Sequence, residues 1–254
     1  MIEALPDYDD LPLVPGLDVR HAWGVFGRDD VLGSINLVTP ARVASAAALV
    51  ATGEMFPLDL PLNLPDPPLF GRRSYVHHVK ALNRHEMDDH LDLFHPQGST
   101  QWDALNHVRC REHGYWGGRL QDPTEGYNGL GIEHVAEHGI AGRGVLIDLA
   151  GWASATDPAY DPLHPRPFTA DDVRATLAAQ DVELQTGDIW CLRTGWVAGY
   201  LQLDHAARTV YAAAPTFAGL SADEEMARTI WNAHPAAVCC DNPAVEVVPG
   251  DPAV

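Results

Sequence analysis

Positive charge is what this chain has least of. Lys and Arg total 16, with Lys80 the only lysine, against 35 Asp and Glu, so the formal net charge is -19 at pH 7. Such acidity repels phosphate backbones and anionic headgroups, which argues against nucleic acid and a membrane surface as partners. Long apolar runs are also missing. The best candidate, residues 43–51, is Ala-rich and far too short to span a bilayer. Residues 1–6 show no basic stretch leading into an apolar one, so no export leader is read there. Cysteine is sparse: Cys110, Cys191, Cys239 and Cys240 form no CxxC pair. Free thiols in a reducing cytoplasm are expected. Internal repeats and low-complexity tracts are absent, and nothing reads as a linker, so one domain is expected over 1–254.

What is present is ordinary globular material. Hydrophobic residues make up 46%, enough to build a core in 254 residues. The 20 prolines and 22 glycines are widely spread, which predicts many short elements rather than a helical bundle. Residues 1–20 are rich in Pro and Asp and are expected to wrap the surface. Thr39 followed by Pro40 predicts a capped helix over 41–52, ended by Gly53. Strands are expected at 55–62 and 75–82. The Asp-rich stretch 86–92 reads as a solvated loop. Downstream, buried strands are expected at 145–149, 188–193 and 236–240. Helices are expected from Thr169 and over 221–231, the latter with Ser221 as its N-cap. The alternation predicts an α/β or α+β chain with a mixed sheet as its core, flanked by helices.

The densest polar cluster runs from Gln97 to His107. In an extended segment Gln97, Gln101, Asp103 and His107 share one face, because side chains alternate along a strand. Asp103 is then a candidate metal ligand, and His107 a group that exchanges a proton near neutral pH. The plainer alternative is a turn in which Ser99 and Thr100 satisfy backbone groups and Asp103 merely pairs with His107. Trp102, inside the cluster, is the aromatic residue best placed to face a substrate. Tyr115, Trp116, Tyr127, Trp152 and Trp196 suit core packing equally well. His77 and His78 fall on opposite faces of a strand. His134 and His138 lie four apart on a helix, where a surface role is the simpler reading.

The segment Gln97-Gly98-Ser99-Thr100-Gln101-Trp102-Asp103-Ala104-Leu105-Asn106-His107 resembles the signature of the cyclase-like metal-dependent hydrolases, the family of bacterial kynurenine formamidase and isatin hydrolase. Their pattern is His-x-Gly-Thr-His-x-Asp-x-Pro-x-His, and Thr100, Asp103 and His107 match it in register. The likeness extends to 23–36, to 142–148, to Gly187-Asp188 through Trp196, to Gly219-Leu220-Ser221 and to Asp241-Asn242. It implies a swivelling β/β/α fold and a homodimer or higher homo-oligomer. It also implies a divalent metal ion, Mn or Zn, and hydrolysis of a carbon–nitrogen bond in a small amide, formamide or lactam. N-formylkynurenine, and with it tryptophan catabolism in a bacterium, follows from the resemblance alone. By position, Asp103 and His107 take the catalytic roles, and His107 becomes the general base and acid.

Two departures bear on this. The family's first two histidine ligands are Gln97 and Gln101 here, so the ligand set becomes Gln97, Gln101 and Asp103. Carboxamide oxygens favour a hard ion over Zn²⁺. The family pattern also continues beyond the equivalent of Glu246 with further ligands, so the C-terminal part is expected to be missing. Glu246, with Trp102 and Gln101, is assigned to substrate contact, and His95 is the imidazole placed to replace a lost ligand. Two alternatives follow: a metal-free acid–base enzyme (a dehydratase or isomerase), and a non-catalytic relative that uses the same pocket.

Overall fold

The computed structural model describes residues 5–250. Residues 1–4, on which the reading of the leader partly rests, and 251–254 lie outside them. The N-terminal segment docks onto the C-terminal half of the chain. Tyr8, Leu11 and Val14 are buried, Trp231 Nε1 donates to Pro6 O at 2.8 Å, and Tyr8 N donates to Asn232 Oδ1 at 2.8 Å.

Helix α1, Pro40–Ala47, begins as Thr39 dictates: its hydroxyl accepts from Arg42 N at 3.3 Å, and Pro40 occupies the first turn, where no N–H is needed. It stops well short of Gly53, because no buried residue holds its far end down. The strand expected over 55–62 does not form, and that stretch is extended chain without a ladder partner. Strands β1, Val76–Ala81, and β2, Met87–Asp92, pair antiparallel as a hairpin. The Asp-rich stretch is therefore a strand rather than a solvated loop, and all its residues are exposed. The short helix α2, Glu133–His138, follows.

The second half carries the alternation read from the sequence. In order come β3 (Gly144–Ile147), α3 (Leu149–Thr156), β4 (Pro167–Phe168), α4 (Ala170–Gln180) and β5 (Ile189–Leu192). Then follow α5 (Trp196–Gln202), α6 (His205–Ala213), β6 (Gly219–Leu220), α7 (Glu224–Ala233) and β7 (Ala237–Cys240). Strands β3, β5 and β7 form a parallel sheet in that order, and β4 pairs with β6 in a second, two-residue sheet. Helices fill the crossovers that parallel neighbours require. The class is mixed α/β.

One face of the parallel sheet is the core. Val145, Ile147, Trp190 and Leu192 point into it and meet Leu149 and Ala153 of α3, Val173 and Leu177 of α4, and Met226 of α7. Each such fully buried aliphatic contributes about 1.5–3 kcal/mol. A second cluster gathers Leu69, Trp196, Tyr200 and Phe217, with the Trp196 and Tyr200 rings stacked at 4.9 Å. Helix α4 opens with a reciprocal capping box: Thr169 Oγ1 accepts from Asp172 N, and Thr169 N donates to the Asp172 carboxylate. Helix α7 is capped by Asp223, not Ser221, because the carboxylate at 223 reaches Met226 N at 2.8 Å. No helix among the described residues is long and apolar enough to cross a membrane.

Candidate functional site

The segment 97–107 is not one extended face. A 3-10 turn over Pro96–Gly98 opens it, and a turn in which His107 N donates to Ala104 O at 2.9 Å closes it. Proline at the start and Gly98 just after suit the first bend. The shared strand face expected for Gln97, Gln101, Asp103 and His107 is thereby lost. The closing turn replaces it for two of them: His107 Nδ1 lies 3.6 Å from Asp103 Oδ1. Ser99 and Thr100 bond backbone, as the plainer reading expected. Ser99 Oγ donates to Pro61 O at 3.2 Å, and Thr100 Oγ1 accepts from Leu60 N at 2.8 Å.

Leu105, between Asp103 and His107 in sequence, packs toward Gly33. Its methyl carbons lie 3.7 and 3.9 Å from where a Cβ on Gly33 would stand, and the Trp116 ring lies beside them. Gly33 has φ +58, so a side chain there is disfavoured on conformation as well. Asp30 ties this region together. Its carboxylate accepts from Gly33 N at 2.7 Å, from Trp116 Nε1 at 3.0 Å and from the Asn36 amide.

Asp103 and His107 side chains are 41% and 42% exposed, so in a single chain the pair stands open to water. Trp102 beside them is 38% exposed. Gln97 is half-buried and Gln101 exposed, and neither side chain makes a hydrogen bond among the described residues. By donor type, carboxamide and carboxylate oxygens suit a hard ion such as Mn²⁺ or Mg²⁺ better than Zn²⁺. The His95 carbonyl accepts from Gly98 N in the opening turn, and its ring makes no hydrogen bond with Asp103 or His107 among the described residues. Glu246 is exposed beside β6, where Leu220 bridges to it, and no hydrogen bond or ion pair links it to Asp103 or His107 among the described residues.

The remaining aromatic and histidine candidates have local partners. Trp152 packs on the sheet core and Trp196 on Tyr200, while Tyr115 is buried. His134 Nε2 meets Tyr127 Oη at 3.0 Å and His138 Nδ1 meets Gly139 O at 2.8 Å, so the helical pair does not converge. A concavity of about 410 Å³ lies between the first turns of α4 and α7. Asp171, Glu225, Arg174 and Arg228 line it, and these already pair with one another.

Sequence reasoning attached no role to a second polar group at the carboxyl ends of the parallel strands, where ligands of open α/β sheets bind. Asp148, after β3, caps α3 through Gly151 N and takes Arg193 Nη1 at 2.6 Å. Asp241, after β7, accepts from Thr194 N, Thr194 Oγ1 and Gly195 N at 2.6–2.8 Å. Tyr160 Oη donates to Thr194 O at 2.6 Å, and burial pushes that phenol well above its ordinary pKa. The available signal was a polar residue directly following each apolar strand.

Comparison with known proteins agrees with this architecture. A family model described as "Putative cyclase" matches residues 40–247. A crystal structure described as that of a novel cyclase superposes with a TM-score of 0.76 at 29% identity, covering 89% of this chain and 78% of that one. No curated protein matches.

Proposed function

Because the chain belongs to the cyclase family, we propose that it hydrolyses the carbon–nitrogen bond of a small amide, formamide or lactam, with Asp103 and His107 at the reacting centre. The observation that carries this reading is the 3.6 Å approach of His107 Nδ1 to Asp103 Oδ1. The carboxylate stands within ion-pair range of one ring nitrogen, though beyond hydrogen-bond length, and leaves Nε2 free for proton transfer. Asp103, Gln97 and Gln101 would hold a divalent cation, Mn²⁺ by donor type. When bound, the cation supplies Lewis acidity toward the carbonyl and lowers the pKa of a water. His107 takes a proton from the attacking water as its oxygen bonds to the carbonyl carbon. It then gives that proton to the departing nitrogen as the C–N bond breaks, leaving a carboxylic acid and an amine. Trp102 offers an aromatic face to the substrate, and the Gln101 amide and Glu246 offer polar contacts at its edge.

The test is turnover of N-formylated aromatic amines and of lactams, followed as release of the acid, in protein loaded with Mn²⁺. Hydrolysis that disappears in Asp103→Ala and His107→Ala supports the reading. Hydrolysis unaffected by both variants refutes it.

The unengaged carboxamides of Gln97 and Gln101 favour a second reading. Here they bind a carbonyl compound by hydrogen bonds, and Asp103 with His107 performs a dehydration or isomerisation without metal. Replacing both glutamines with histidine separates the two. Under the first reading the double variant retains hydrolysis with a shifted preference toward Zn²⁺, and under the second it loses activity altogether.

The same proposal includes a second copy of this chain. The protein exposes 15268 Å², whereas a compact monomer of 27.6 kDa exposes about 11,000 Å². The excess, about 4,300 Å², is larger than the roughly 1,000–2,500 Å² per partner that obligate dimers bury, so one shared interface would remove only part of it. Much of it is apolar: Met55, Phe56 and Leu58 in the unpaired stretch, and Val79 and Met87 on the hairpin, are each more than 60% exposed.

A further inference from the structure

The hairpin carries a group of metal-binding side chains separate from the segment 97–107. Its register sets His78 directly opposite His90, Val76 opposite Asp92, and Lys80 opposite Asp88. Residues paired across an antiparallel ladder share a face, so Val76, His78, Lys80, Asp88, His90 and Asp92 lie on one side. His77, Val79, Ala81, Met87, Asp89 and Leu91 lie on the other. On the first face the His78 and His90 rings stack with centroids 4.6 Å apart. His78 Nε2 is 3.0 Å from Asp92 Oδ2. One ligand atom from each of His78, His90 and Asp92 lies within 4.8 Å of the other two.

We propose that His78, His90 and Asp92 bind a Zn²⁺ ion across the two strands. Two imidazoles and one carboxylate are a donor set that zinc takes readily, leaving a fourth position for water. A small rotation of the stacked rings brings both nitrogens onto one ion. Asp88 adds negative charge on the same face, which Lys80, 3.9 Å away, offsets only in part. The hairpin has a use for the ion. All twelve of its strand residues are exposed, and a two-stranded ribbon without a core beneath it is marginal in water. A tie between β1 and β2 holds the ladder that the hydrophobic effect does not. The opposite face supplies an internal control: His77 Nε2 meets Asp89 Oδ2 at 2.8 Å, a similar pair with no second imidazole beside it.

The experiment is a Zn²⁺ titration of chelator-stripped, full-length protein against a chromophoric chelator, with limited trypsin digestion as a second readout. The Asp103→Ala background removes any ion held in the segment 97–107, so failure here is distinct from failure of the hydrolase reading. One equivalent of Zn²⁺ should bind in that background. His78→Ala or His90→Ala should abolish it, and His77→Ala should leave it intact. Zn²⁺ should also slow cleavage at Arg84, in the turn between the strands, except in the His78 and His90 variants. The hairpin touches no core, so these variants keep the fold, which a thermal melt confirms. Equal Zn²⁺ affinity in the His78, His90 and parent proteins, or no binding by the parent, overturns the proposal.

Discussion

Asp103 Oδ1 and His107 Nδ1 lie 3.6 Å apart across the turn that Ala104 O and His107 N close. The contact is local, within four residues, so it forms whenever the turn forms. Both side chains are more than a third exposed, so neither contributes much to stability. Replacing His107 by Ala should therefore lower kcat by about 10²–10⁴-fold while leaving the melting temperature within about 1 °C, because an exposed side chain carries little folding energy. Parallel kinetics and thermal melts check this. A melt that collapses with the activity would assign His107 to the scaffold instead.

Surface area argues the next expectation. Val79 and Met87 sit on the hairpin face opposite His78 and are 64% and 69% exposed. If a second copy covers them, a buried charge there has no partner and is costly. Val79→Asp with Met87→Asp should move the protein from dimer, or higher, to monomer in light scattering coupled to size exclusion. A parent protein that runs as a monomer at every concentration removes this part of the reading.

Much of the second half was legible in the sequence. Val145 to Leu149 and Asp188 to Arg193 are short apolar runs flanked by turn residues, and they become β3 and β5, although β3 buries only Val145 and Ile147 and leaves Leu146 half exposed. Thr169 and Asp172 announced α4 through chemistry confined to four residues. The first half resisted. Residues 55–62 have strand-like composition but no ladder partner among the described residues, and composition cannot supply one. Residues 86–92 look like a solvated loop, yet opposite Val76–Ala81 they pair as a strand. In the candidate site, residue types pointed to Asp103 and His107. Their meeting depends on a turn, whereas the alternation argument assumed an extended chain. Asp148 and Asp241 were visible as letters, but their contacts with Arg193 and Thr194 cross between neighbouring strands and need the fold.

Arg143 and Asp188 give a stability test of that sheet. Arg143 Nε and Nη2 reach the two oxygens of Asp188 at 2.8 and 2.7 Å, and Nη2 also donates to Glu183 O. The carboxylate beside it raises the Arg143 pKa, the hydrogen bond being the largest cause. The partners differ in burial: the Asp188 side chain is 3% exposed and Arg143 26%. Arg143→Ala strands a buried carboxylate and should cost about 3–5 kcal/mol. Asp188→Ala leaves a guanidinium that turns to water and should cost less, about 2–3 kcal/mol. Urea unfolding of both variants measures the difference, and the reverse order would show that the Gln185 N contact to Asp188 outweighs the ion pair.

Cys191 and Cys239 face each other in the register of β5 and β7. The neighbouring Cys239 thiol holds the Cys191 pKa down to about 7, from an ordinary 9.0. Cys239 is pushed up by its neighbour and by burial. Cys191 should thus be the thiolate of the pair at neutral pH, and the thiolate is the reactive form. At pH 8 about 90% of a thiol with pKa 7 is ionised against about 10% of one with pKa 9. Alkylation of Cys191 should rise with pH through a midpoint near 7, and in Cys239→Ala the midpoint should move up toward 9. The linkage has the same sign: a depressed pKa stabilises the fold above pH 7, fully by pH 9, and the gain is lost as pH falls through 7. Peptide mapping after timed alkylation from pH 6 to 9 reads the midpoint directly. A midpoint in Cys239→Ala equal to that of the parent would show that the Cys239 hydrogen bond does not set the reactivity of Cys191.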